Sequence, residues 1–425
     1  MRKLIAVLFL CLTFVDETSV QAAQAAEVNG TLSLSAVVDE ALNSNPEIQA
    51  AKRRLEAVRA KAKQATYLED PEINMEAWGV PLSHPLRYRS ANPLIFGVRQ
   101  KLPFFGKLRL IGEMADQESK TAEEELRAKE QEIAANVKAA YAEYFMASKS
   151  VEIYRELLEL IGHTSAAAEG LYQVGRAPQQ DVIKALLERT ELMNRLTWAE
   201  KDLVTARARL NALLNRPSGS FLAEPKEPAE IPVHVPTDEL EKLVIEQRPE
   251  LRALESSIAR SEKAIELAER NRKYPDFMVG LQYWVAPDQS PRHMYAPMVT
   301  LTIPFSPWTK RKHDYEVEEA LAERQAAKAN LAAMRNMALY EVRDMSAKLQ
   351  AAIKSLSIYR NGLLPQAEQS FQAAVAAYQT GGVNFMTLLD AQRTIRDVRM
   401  GYYKALVDYE QSRAELERVV GKELK

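Results

Sequence analysis

Cysteine is almost absent from this chain of 425 residues, with Cys11 as its only example. A single thiol excludes an intrachain disulfide and any multi-cysteine metal site. Histidine is scarce as well: His84, His163, His234, His293 and His313 are all there are. None stands four residues from another and no Glu-x-x-His occurs, so helical zinc and di-iron sites of the usual spacing are excluded. Glycines number only 15, and "FFGKL" lacks the upstream glycine and the following Ser or Thr of a phosphate loop. An excess of one charge is missing too. Lys plus Arg total 56 against 58 for Asp plus Glu, which argues against a nucleic-acid binder. No apolar run reaches the ~18 residues of a membrane helix. No catalytic, cofactor or metal constellation is left, and no enzyme is expected.

What is present begins with an export signal over residues 1–26. Arg2 and Lys3 form its charged start, Leu4 to Val15 its apolar core, and "VQA" or "AQA" a small-residue cleavage site. Asp16 and Glu17 cut the apolar run short of a ~20-residue membrane anchor. Cys11 lies inside this signal. The alternative, a lipid-attachment cysteine, lacks the small residue expected before it in "LFLC".

The remainder reads as one unit written twice, over 27–216 and 237–425, with a Pro-rich linker at 217–236 between them. "NSNPEIQAAKRRLEA" is echoed by "EQRPELRALESSIAR" at an offset of 203, "KLPFFGK" by "TIPFSPW" at 201, and "KSVEIYR" by "KSLSIYR" at 205. The linker holds five prolines in twenty residues, an extended composition. Each half is expected to run helix, strand, strand, very long helix, tight turn, long helix. No Gly or Pro interrupts Glu113 to Ile161 or Thr309 to Asn361. Leu126, Ile133, Val137, Ala140, Tyr144, Ala147, Val151, Tyr154, Leu158 and Ile161 keep the three-and-four spacing of a coiled-coil seam. Adding 205 gives Leu331, Ala338, Val342, Met345, Leu349, Ala352, Leu356, Tyr359 and Leu363, and the series breaks only at Gln366. A helix from Lys107 to Leu171 would be roughly 100 Å long at ~1.5 Å per residue. "EEELRAKEQE" (Glu123 to Glu132) reads as a solvated helix face with i, i+4 ion pairs.

The strands set the class. "PEINMEAWG" places Ile73, Met75 and Ala77 on one face, and "PLIFGVRQK" does so with Leu94, Phe96 and Val98. "DFMVGLQYW" offers Phe277, Val279 and Leu281, and "MVTLTIP" offers Val299, Leu301 and Ile303. Segments of about ten residues, apolar on one face and mixed on the other, mark a transmembrane barrel. The intervening "VPLSHPLRYRSANP" and "VAPDQSPRHMYAP" are expected to be outer loops. Four strands cannot close a barrel and open edges are not tolerated in lipid, so several subunits must share it.

The duplicated plan resembles a TolC-type outer membrane factor. So do the "NPE/RPE" helix starts, "LPFFGKLRL" after the second strand, and the turns "YQVG" and "YQTG". The likeness spans about Leu32 to Gly421, and "PFFGK" is most similar to the branch serving metal-cation pumps of the resistance-nodulation-division class. It implies a mostly α protein with a membrane β-barrel: a homotrimer whose twelve-strand barrel lies in outer membrane lipid and continues into an α-helical periplasmic tunnel. The partners implied are a periplasmic adaptor and an inner-membrane resistance-nodulation-division pump, with no nucleic acid. The function implied is a passive exit duct for metal cations or small toxic compounds. Alternatives are a periplasmic coiled-coil interaction protein, or the same duct serving type I protein secretion.

The tunnel tip is then expected at the two turns, Tyr172 with Gly175 and Tyr378 with Gly381. The family pattern puts carboxylates six and nine residues after the second-repeat glycine. Here the ninth is Asp390 but the sixth is Thr387, and the first-repeat carboxylate is Asp181. The resemblance implies that Tyr378 reaches Asp181 or a neighbour, and that Asp390 faces the narrowed lumen. Ile73, Leu94, Phe96, Phe277, Val279, Leu281, Val299 and Leu301 are the expected lipid-facing positions.

Overall fold

The computed structural model describes residues 30–80, 82–83, 91–175, 177–228 and 236–424. The expected signal with Cys11, His84, His234 and part of the Pro-rich linker lie outside the described residues. In chain order the elements are β1 (Thr31–Leu32), α1 (Leu34–Ser44), α2 (Pro46–Gln64), β2 (Glu72–Ala77), β3 (Leu94–Leu102), α3 (Lys107–Gln173), α4 (Gln179–Leu213) and β4 (Glu224–Pro225). There follow α5 (Thr237–Gln247), α6 (Pro249–Lys273), β5 (Asp276–Val285), β6 (His293–Thr302), α7 (Lys310–Ile358), a π-helical turn (Tyr359–Leu363), α8 (Leu364–Gln379) and α9 (Phe385–Val420). The helix starts at "NPE" and "RPE" have a common cause. Pro46 and Pro249 open α2 and α6 with their fixed φ, and Glu47 and Glu250 complement the positive end of the helix dipole.

Two compact units emerge, each assembled from both halves of the sequence. One comprises Ala51–Arg127 and Pro249–Met337, the other Met1–Ala50, Ala128–Arg248 and Ala338–Lys425. The 67-residue α3 contributes to each.

The first unit carries a four-stranded antiparallel sheet in the order β2-β3-β5-β6. Its register sets Ile73, Val98, Leu281 and Pro297 in one row and Met75, Phe96, Tyr283 and Tyr295 in the next. Leu94 pairs with Ala77 and Val285, Val279 with Gln100 and Val299, and Phe277 with Leu102 and Leu301. Since strand side chains alternate, all eight apolar positions named above share one face. That face is uncovered: Ile73 is 83% exposed and Val299 67%. The opposite face is mixed, with Ile95, Met278 and Trp284 among charged and amide side chains. Arg99 pairs with Glu72 at 3.3 Å, and the Asn74 amide donates to Glu76 at 2.8 Å.

Strand β6 begins at His293, earlier than the alternation of "MVTLTIP" suggests, so much of the expected second outer loop is strand. Pro297 lies within it and costs no ladder bond on an open side, because β6 is the last strand of the sheet. Below the sheet, the first-half "FFGK" meets the second-half "YPD". Lys107, 4% exposed, donates to Asp276 at 2.8 Å and to the Tyr274 carbonyl at 3.0 Å. The Phe104 N–H donates to the same carboxylate at 3.0 Å, and its ring stacks on Tyr274 with centroids 4.4 Å apart.

The second unit is helical apart from the short parallel pair β1–β4, which ties Glu224–Pro225 to Thr31–Leu32, just ahead of α1. On α3, Ile133, Val137, Ala140, Tyr144, Ala147, Val151 and Ile161 are buried; on α7, Ala338, Val342, Leu349, Ala352 and Leu356 are. The α7 series fails earlier than expected, with Leu363 exposed. The cause is the π-helical turn, whose wider i→i+5 bond from the Leu364 N–H to the Tyr359 carbonyl makes room for Pro365 and shifts the helix phase. No helix among the described residues is long and apolar enough to cross a membrane.

Candidate functional site

The hairpins α3–α4 and α8–α9 each end in a glycine turn. Gly175 has φ 71° and Gly381 φ 78°, left-handed values that a Cβ would strain. The Gly175 N–H donates to the Tyr172 carbonyl at 2.9 Å, and the Gly381 N–H to the Tyr378 carbonyl at 3.1 Å. Both tyrosines therefore supply a backbone acceptor that closes a helix. Tyr172 keeps its ring exposed.

Asp181 lies in the first turn of α4, where the helix dipole favours a carboxylate. Asn384 caps α9: its Oδ1 accepts from the Thr387 N–H and from the Thr387 hydroxyl, both at 3.0 Å. Thr387, standing where the family pattern has a carboxylate, is thus a neutral member of a cap. Asp390 is exposed in the next turn, and its backbone carbonyl accepts from the Thr394 hydroxyl at 2.9 Å.

The two tips share an apolar cluster that includes Ile161, Ala168, Ala185, Leu192, Phe385 and Leu389. Tyr378 packs on it edge-to-face with Phe385, ring centroids 5.8 Å apart. Its hydroxyl is shielded and has no hydrogen-bond partner among the described residues. Burial raises the pKa of this phenol, and the nearby Asp181 carboxylate raises it further. Tyr378 and Asp181 are therefore brought near one another within one protomer, without the hydrogen bond expected between them. Tyr172 and Asp390 remain on the surface.

The residues missed by sequence reasoning are charged. Glu188 on α4, 2% exposed, accepts from Arg393 Nε on α9 at 2.9 Å and again from its Nη2. Arg396 stands 3.6 Å from the other Glu188 oxygen. The Glu188 bond raises the already high pKa of Arg393. A usable signal existed, for the two partners are 205 residues apart, the spacing at which the chain echoes itself. Higher on the same hairpins, Arg399 on α9 pairs with Glu156 on α3 at 3.1 Å.

This constellation can hold and move helices and present charge, and among the described residues no group of acidic, histidine or cysteine side chains could hold a metal ion. The sequence profile of the family described as "Outer membrane efflux protein" matches residues 37–216 and 240–422. The chain belongs to that family. This outer membrane efflux protein is 25% identical over 404 residues to the cobalt-zinc-cadmium resistance protein CzcC of Cupriavidus metallidurans, covering 93% of this chain and 91% of that one. Its fold is similar to that of the outer-membrane channel OprN, with a TM-score of 0.76, 19% identity, and coverage of 91% of this chain and 89% of that one. It is equally similar to CusC, with a TM-score of 0.76, 19% identity and 92% coverage of each chain. The efflux protein is thus an outer membrane channel of TolC-like fold, and its relatives are channel proteins rather than enzymes.

Proposed function

We propose that three copies form the exit duct of a tripartite efflux system, passing metal cations out of the cell. The observation that carries this reading is the exposed apolar sheet face. The ten-residue strands β5 and β6, tilted ~45°, would span about 25 Å, the height of the apolar band of an outer membrane barrel. The aromatic Tyr283 and Tyr295 lie toward one end of that face and Phe277 toward the other, as in interfacial girdles. Ile73, Leu94, Phe96, Phe277, Val279, Leu281, Val299 and Leu301 face lipid, and three four-stranded sheets close a twelve-strand barrel. The long helices line the periplasmic part of the duct and meet an adaptor and an inner-membrane resistance-nodulation-division pump. Metal cations are the favoured cargo because of the likeness to a cobalt-zinc-cadmium resistance protein.

At the tip, Tyr378 and Asp181 belong to the closure and Asp390 faces the narrowed lumen. Three converging carboxylates attract cations and repel anions. The neutral Thr387 leaves a single anionic tier. The test is outer membrane fractionation joined to metal sensitivity of a deletion strain. Trimers in the outer membrane and restored cobalt, zinc or cadmium tolerance are expected. A soluble monomer would overturn the duct, and restored drug tolerance or protein secretion without metal tolerance would overturn the cargo.

A further inference from the structure

Resting on the lipid-facing reading of the sheet, we propose that two aromatic–cation pairs just beyond it hold the phosphate headgroups of anionic phospholipids. The pairs are Phe105 with Arg109, and Trp308 with Lys312 and its neighbour Arg311. Their place is the end of the sheet where Leu102 pairs with Phe277 and Asp276 with Thr302. There the apolar face runs on into a stack of rings. Phe277 lies over Phe104 with centroids 6.1 Å apart, and Phe105 meets Phe104 edge-on at 5.7 Å. Phe105 is 82% exposed and Trp308 84%. Four residues after each stands a cation with an exposed side chain, Arg109 at 70% and Lys312 at 71%. The two pairs are 203 residues apart, so each half of the chain presents the same surface although "FFGKLRL" and "FSPWTKRKH" otherwise differ.

The charges identify the occupant. Arg109 stands 3.5 Å from Glu113, but Lys263 holds that carboxylate more closely, at 3.2 Å. Lys312 stands 3.6 Å from Glu316, which His313 meets at 2.7 Å. Arg311 is exposed and has no ion-pair partner among the described residues. No acidic residue occurs between Asp288 and Asp314. Nor do these cations serve their own helices. They oppose the positive end of the helix dipole, and the first turns of α3 and α7 hold no acid to offset them. A phosphate supplies the missing negative charge. Aromatic rings settle at headgroup depth, and Lys and Arg lay their stems along apolar surface while the charged heads reach the phosphate layer. A lipid of the leaflet nearest the helices therefore fits both members of each pair. A second copy offers less: of the acids leading into β2, Glu69 is already paired with Lys101 at 2.9 Å and Glu72 with Arg99 at 3.3 Å.

The test uses the full chain reconstituted into vesicles of equal phosphatidylglycerol and phosphatidylcholine. After extraction in mild detergent, native mass spectrometry identifies the lipids that stay bound. Wild type is expected to retain phosphatidylglycerol about tenfold over phosphatidylcholine, and the variant Arg109→Gln with Arg311→Gln and Lys312→Gln no more than about twofold. A control with the same charge removed from the helical unit, Lys184→Gln with Lys201→Gln and Lys242→Gln, should keep the wild-type ratio. Equal retention of the two lipids by wild type, or a preference that survives in the first variant, would overturn the headgroup sites and leave the lipid-facing sheet standing. Loss of trimers by that variant in phosphatidylcholine alone would assign the cations to a second copy and overturn the sites as well. Failure of wild type to enter vesicles of either lipid would overturn the lipid-facing sheet, and the sites with it.

Discussion

Glu188 and Arg393 stand 205 residues apart and bind each other across the two tip hairpins. The halves of the chain meet here through opposite charges at echoing positions. Glu188 is buried, Arg393 is partly exposed, and Arg396 is 9% exposed beside them. Removing Glu188 leaves Arg396 still paired with Asp397 at 2.9 Å and Arg393 partly exposed, so the loss is expected to be about 1–2 kcal/mol. Glu188→Gln is therefore expected to lower the denaturation midpoint of the purified protein. Glu188→Leu combined with Arg393→Met and Arg396→Leu should recover much of the loss. Equal midpoints for wild type and Glu188→Gln would mean that the pair contributes no stability.

The two sheet faces respond in opposite ways to charge. Val279→Arg, on the exposed apolar face, should cost about 2–4 kcal/mol if that position lies near the bilayer midplane, and should deplete outer membrane trimers. Thr300→Arg, one residue from Val279's partner Val299 but on the mixed face, should leave trimer yield close to wild type. The comparison is read from heat-modifiable bands in membrane fractions. The reverse ranking would exchange the lipid and lumen faces.

The phenol of Tyr378 has a raised pKa, first through burial and then through Asp181. A group whose folded pKa is raised contributes stability that is complete below its unfolded pKa of ~10 and is lost as pH climbs through the folded value. Alkaline titration above pH ~10 should therefore loosen the tip. Tyr378→Phe should remove that component and, since the hydroxyl has no partner to lose, cost no more than about 0.5 kcal/mol at pH 7. Phenolate absorbance of the wild type minus that of Tyr378→Phe reports the titration. An ordinary tyrosine curve for the difference would mean that the Tyr378 hydroxyl is open to water and that the tip is not packed around it.

In the proposed duct, selectivity at the mouth is assigned to Asp390, because Thr387 is neutral and engaged with the Asn384 cap. Asp390→Ala should reduce cation preference in low-salt bilayer recordings, where screening is weakest, without raising conductance. Thr387→Asp should add a second anionic tier and increase cation preference. Unchanged reversal potentials in both variants would show that neither position lines the mouth.

Much of the architecture is legible in the residue order because its causes are local. Gly- and Pro-free stretches with three-and-four apolar spacing propagate as helices. Alternation at Ile73, Met75, Phe96, Val98, Phe277 and Val279 marks strands with one apolar face. The glycines at 175 and 381 mark turns that need a left-handed backbone. Periodicity of this kind acts between neighbours three, four or two residues apart, so it can be read without knowing the fold.

The tertiary structure alone decided what met what. Pairing of β3 with β5, residues from opposite halves, put eight apolar side chains on one face, since register across a ladder is a contact between distant segments. Lys107 found Asp276, and Glu188 found Arg393, through contacts spanning 169 and 205 residues. A charge's partner depends on packing and burial, and neither leaves a periodic trace in the sequence. The π-helical turn before Pro365 likewise came from a ring that must be fitted into a packed helix. Sequence determined the elements of this protein and the faces they offer. Folding determined the pairings, because close approach, desolvation and register exist only between segments that the chain has already brought together.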